Sequence, residues 1–223
     1  MTRTAKILSI ALLFTSFQML CGMFCGRAID IAVIVKKELR FSLSLADAMK
    51  ASKIPNESGK LPLSLKKTKA NTKHILCWDL TSENRYKVLL QEVPNLRDRI
   101  HEMHFNHVAL RVEQGKNTLS HNLPELKITL GPIQGSKSAC TGDFKPEGHI
   151  GQFPSIAAGR DDQIVPLLWQ PTGYKFASQE IRKKLSLAFE LSSEMELKPG
   201  GLYPDGKVDV LLDLDMTFVF SAI

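Results

Sequence analysis

The sequence predicts an all-β protein, a β-sandwich, on two observations. Short runs of alternating apolar and polar residues recur along the chain with turn-forming residues between them, and each run is too short to make a persuasive helix. The last long run, Val208 to Phe218, alternates strictly from Leu212 onward, as a strand does when one face is buried.

The elements follow in order. Ile29 to Val35 places Ile29, Ile31, Val33 and Val35 on one side of an extended segment. Phe41 to Leu45 and Leu61 to Leu65 alternate cleanly, and Ile75 to Leu80 and Tyr86 to Val93 are apolar with β-compatible residues. Two stretches have helical character, a brief one at Leu45 to Met49 and a single turn at Pro94 to Ile100. His107 to Glu113 and Leu126 to Leu130 read as strands, with Gln114 to Asn117 as a hairpin or loop after the first. Residues 131 to 160 are rich in Gly, Ser and Pro and read as a long irregular excursion, before strands at Leu185 to Leu191 and Val208 to Phe218.

Residues 1–28 read as a cleavable export signal. Arg3 and Lys6 give a positive start, Ile7 to about Phe24 is apolar and uncharged, and Gly26-Arg27-Ala28 offers small residues before a cut ahead of Ile29. A retained membrane-spanning helix is the alternative for a run of this length. About 195 residues remain after cleavage, enough for one generous domain or two small ones with a sizeable core. The formal charge of +6 falls to +3 when Arg3, Lys6 and Arg27 leave, which does not imply a nucleic-acid partner. The lysines clustered at Lys60, Lys66, Lys67, Lys69 and Lys73 lack interleaved aromatic residues and read as a solvated face, with attraction to an acidic glycan or membrane surface as the alternative. Cys77 and Cys140 survive cleavage. In an oxidising compartment they read as one disulfide, or else as two separate buried thiols, since spacing does not fix the approach of their α-carbons.

Candidate catalytic chemistry is weak. His101, His104 and His107 with Glu102 invite a metal reading, but on a helix the imidazoles drift around the surface and on a strand His101 and His104 face opposite sides. Asp161 and Asp162 have no evident second carboxylate across a cleft. No serine sits in a nucleophile elbow and no glycine-rich phosphate loop precedes a helix. Trp78, Trp169 and Tyr174 could stack on sugars if exposed, or pack in the core. The sequence therefore predicts neither an enzyme nor a metal or other cofactor.

The stretch Leu197 to Val210, with Pro199, Gly201, Tyr203 and Gly206 ahead of the alternating last strand, resembles the ending of pilins from chaperone–usher fimbriae, most of all the α-type colonisation-factor and common-pilus group. A looser similarity covers Tyr86 to Leu96, His107 to Val112 and Gly115, in the same order as in those pilins. The resemblance implies an immunoglobulin-like sandwich lacking its last strand, polymerised by donor-strand exchange. Residues 29–37 would then be the donor extension, inserting Ile29, Ile31, Val33 and Val35 into a neighbour, and 38–223 the sandwich domain. Gly201, Tyr203, Gly206, Val208, Val210, Leu212 and Leu214 would form the C-terminal edge that faces the chaperone and receives the donor. The implied partners are other fimbrial subunits, a periplasmic chaperone, an outer-membrane usher and a host glycan or protein receptor, with passage through the periplasm to the cell surface. Two alternatives stay open. Ile29 to Val35 could be the first strand of a self-complete exported sandwich that binds a glycan or protein, and, more remotely, the chain could be an exported hydrolase.

Overall fold

The computed structural model describes residues 30–66, 68–79, 96–131 and 146–221. They form an all-β sandwich of two antiparallel sheets. The first sheet has the order β1-β9-β3-β6, from β1 (Asp30–Ser44), β9 (Lys207–Ser221), β3 (Ile100–Asn117) and β6 (Ile164–Pro166). The second has the order β2-β8-β4-β5-β7, from β2 (Lys69–Asp79), β8 (Ser186–Glu196), β4 (Leu126–Gly131), β5 (Gly148–Phe153) and β7 (Leu168–Trp169). Helices α1 (Leu45–Ala51), α2 (Leu96–Arg99) and α3 (Gly173–Lys184) connect or flank them.

Side-chain alternation builds the core. On β9, Val208, Val210, Leu212, Leu214, Met216, Phe218 and Phe220 are buried on one side, while Asp209, Asp213, Asp215 and Thr217 lie on the other. Leu126, Ile128, Leu130, Phe189 and Leu191 answer them from the second sheet. α1 begins where Ser44 caps it, its hydroxyl accepting from Asp47 N at 3.1 Å, and it buries Leu45, Ala48 and Met49. Gly206 enters β9 with a φ of +89°, and a Cβ there would meet Thr118 O at 2.0 Å, so both backbone angle and space demand glycine.

Several expectations are corrected. Ile29 to Val35 and Phe41 to Leu45 are not separate segments, because the alternation runs unbroken through Lys36 to Arg40 and gives one 15-residue strand from Asp30. Leu61 to Leu65 is a turn, not a strand: Pro62 accepts from Leu65 N at 3.2 Å, and Leu63 projects outward, 85% exposed. Gln114 to Asn117 stays within β3, where the register with β9 shifts between Val112 and Asn117 and Gly115 takes a positive φ. Within the stretch read as irregular, Gly148–Phe153 is β5, hydrogen-bonded into the second sheet. The expected strand at Tyr86 to Val93, the export signal at 1–28, Ile29 and Cys140 lie outside the described residues.

Candidate functional site: the seam between the first and last strands

The seam is built by two strands that alternate in phase. β1 pairs antiparallel with β9 from Asp30↔Ser221 to Ser44↔Lys207, which sets Ile31 against Phe220, Val33 against Phe218 and Val35 against Met216. Each pair shares the face turned towards the second sheet. β9 is an interior strand, flanked by β1 and β3, and presents no open edge.

Burial along the inward row of β1 is graded. Ile31, Val33 and Val35 are partly buried, Lys37 interrupts the apolar row, Leu39 is again partly buried, and only Phe41 and Leu43 are fully buried, at 6% and 3% exposure. Phe41 is held further by the His74 imidazole of β2, stacked 4.9 Å from its ring at an interplanar angle of 22°. Burial lowers the pKa of that imidazole below its ordinary value. The second half of β1 is therefore anchored between the sheets, and the first half rests chiefly on β9.

The outward face carries a charge ladder that fixes register. Lys36 lies 3.4 Å from Asp215, directly opposite in register. Glu38 faces Asp213, a like-charged cross-strand pair that would repel. Arg111, on β3, resolves this by reaching Glu38 at 2.6 Å and Asp213 at 3.2 Å, so one guanidinium ties three adjacent strands. The Asp213 carboxylate, and then Glu38, hold the Arg111 pKa above its usual value. Arg40 pairs with Glu113 at 2.8 Å, and Asn106 donates to Asp215 and Thr217, both at 2.9 Å.

The remaining candidate residues fall elsewhere. Val208, Val210, Leu212 and Leu214 form the inner row of β9, but Gly201 and Tyr203 lie in the turn before it. There Gly201 O accepts from Leu61 N at 2.8 Å and the Tyr203 hydroxyl donates to Ile54 O at 3.3 Å, so the motif pins the Ile54 to Leu61 segment. Burial, with Asp205 adding to it, raises the Tyr203 pKa. Cys77 sits on β2 opposite Ala188. His101, His104 and His107 lie along β3, with His101 3.7 Å from Asp30 and His104 3.1 Å from Glu102, and no group of metal-ligating residues gathers among the described residues. Asp161 accepts from Asn117 N at 3.3 Å and so braces a turn. Trp78 is buried, whereas Trp169 and Tyr174 pack edge-on at 5.2 Å beside Phe105.

Two further features were missed by sequence reasoning. One is a cleft of about 540 Å³ lined by Leu61, His121, Asn122, Met195, Glu196 and Leu202 among others, assembled from residues far apart in the chain and without a local signal. The other is α3, whose Ala177 and Ile181, with Leu185 capping its end, recur at helical spacing and are buried.

No family model matches the chain, and no curated protein does. Among solved structures, it is similar to that of mud crab tombus-like virus, with 13% identity over 90% of this chain and 84% of the other and a TM-score of 0.37. The decameric BFDV capsid protein gives 13% identity over 85% and 99% with a TM-score of 0.35. The virus-like particle of Macrobrachium rosenbergii nodavirus, from the giant freshwater prawn, gives 10% identity over 89% and 98% with a TM-score of 0.29. At these values the likeness carries nothing about function.

Proposed function

We propose that the chain is a self-complete exported β-sandwich that acts by binding and association at the cell surface, without catalysis. The observation that carries this reading is the unbroken pairing of β1 with β9, which puts the segment expected to serve a neighbour into the chain's own sheet. An immunoglobulin-like topology is part of the reading, as is a glycan or protein ligand. The cleft near His121 and Leu202 supports a binding role by its size and its mixed apolar and polar lining.

The graded burial of β1 favours a second reading, that of a fimbrial subunit polymerising by donor-strand complementation with chaperone and usher partners. Ile31, Val33 and Val35 are only partly buried. Three half-buried aliphatic side chains contribute roughly 1 kcal/mol each, comparable with the backbone entropy that a few residues regain on release. A copy of the same segment from a neighbour could take the same antiparallel place on β9.

The purified chain mixed with a labelled Asp30 to Lys37 peptide separates the two. Self-completion predicts no open-ended series of oligomers on size exclusion, whether or not the peptide is present. Capture of the peptide, with a ladder of oligomers that disappears when residues 30–37 are deleted, would replace the first reading by the second.

A further inference from the structure

An edge strand presents a row of unpaired backbone donors and acceptors, and the two ends of the first sheet deal with this differently. At the β3 end the edge is covered. β6 pairs with Ala109 to Arg111, Val108 O accepts from Leu167 N at 2.9 Å, Tyr174 Oη accepts from Phe105 N at 3.3 Å, and Arg182 donates to His101 O at 2.6 Å. At the other end, no strand among the described residues pairs with the outer edge of β1. Lys36, Lys37, Glu38 and Arg40 guard its second half with charge. From Ile31 to Val35 there is none, Ala32 and Ile34 face outward, and Ile34 is 63% exposed.

We infer that the Asp30 to Lys36 edge of β1 is an interface for a second copy of this chain, added antiparallel across a twofold axis at Val33. Charge and the period of two select the occupant and its register. With Val33 opposite Val33 of the second copy, Asp30 meets Lys36 at both ends, Ala32 meets Ile34, and Ile31 meets Val35. An axis at Ile34 would set Asp30 against Glu38, and one at Val35 would set Ile34 against Lys36. An axis between residues would pair inward with outward side chains. Asp30 and Lys36 are available, with side chains 56% and 76% exposed. Their contacts within the chain are His101 at 3.7 Å and Ser221 Oγ at 3.4 Å for Asp30, and Asp215 at 3.4 Å for Lys36. Because the β3 edge is covered, the contact is isologous and closes at two copies. β1 stays on its own β9 throughout, so the interface is independent of strand exchange.

Charge reversal tests this on the purified chain by light scattering coupled to size exclusion. The unaltered chain should reach the mass of two copies, and no more, at about 100 μM. Asp30→Lys and Lys36→Glu each place like charges at both ends, and each should raise the dimer dissociation constant by about tenfold or more. Mixed in equal amounts, the two variants should restore the dimer as a heterodimer, because each altered end then meets its opposite. Ile34→Lys, which leaves the Lys36–Asp215 contact alone, should give a monomer that melts at the same temperature as the unaltered chain diluted until it too is monomeric. A chain that stays monomeric, a dimer indifferent to all these changes, or a mixture no better than either variant alone would overturn the interface.

Discussion

Truncating β1 at two points on its inward face should cost very different amounts. Phe41 is 6% exposed, stacks on His74 and sits between the sheets, so Phe41→Ala removes a buried ring and leaves a cavity. The expected loss is about 3–5 kcal/mol. Val33 lies on the same face of the same strand, opposite Phe218, but is only partly buried. Val33→Ala exposes little new apolar surface and should cost about 1 kcal/mol or less. Urea unfolding followed by tryptophan fluorescence reads both, and an unchanged denaturant slope would show that each acts on stability alone. Equal losses, or a larger one at Val33, would refute the graded anchoring of β1 and with it the idea that its first half is loosely held.

Leu212→Ala, at a fully buried point on β9, should cost about 2–5 kcal/mol in the same unfolding experiment. Gly206→Ala should destabilise by more than about 1 kcal/mol, because its positive φ and the 2.0 Å approach of Thr118 O leave no room for a methyl group. For His74, burial depresses the folded-state pKa, so the unfolded chain binds the extra proton first. Its contribution is complete above about pH 6.5 and is lost as pH falls through the lower folded-state value; His74→Phe should remove that part of the slope in a melting series. Cys77 and Cys140 should both resist an alkylating reagent in the denatured, unreduced chain and both react after reduction, whereas reaction before reduction would show two free thiols.

The last strand was legible because one periodicity ran through it: seven inward apolar residues from Val208 to Phe220 alternate with Asp209, Asp213 and Asp215 on the other face. The start of β1 was equally visible, but not its continuity, since Lys36-Lys37-Glu38 reads as a break and is accommodated by Asp215 beside Lys36 and by Arg111 beside Glu38, which lie far away in the chain. α3 was hidden by its short apolar stripe. Leu61-Pro62-Leu63-Ser64-Leu65 alternates like a strand, yet its backbone bonds go to Gly200 and Gly201 and within its own turn. The partner of each strand, and so whether the first segment serves its own chain, depends on long-range pairing that no local pattern contains.

The most direct test of cis pairing is a cross-strand disulfide between Ile34→Cys and Thr217→Cys, residues opposite one another on the outward face of β1 and β9. Under mild oxidation, non-reducing gels should show a single-chain species closed by the new bond. Dimers and longer chains linked through it would show that the segment sits on a neighbour's β9 and would contradict a self-complete sandwich.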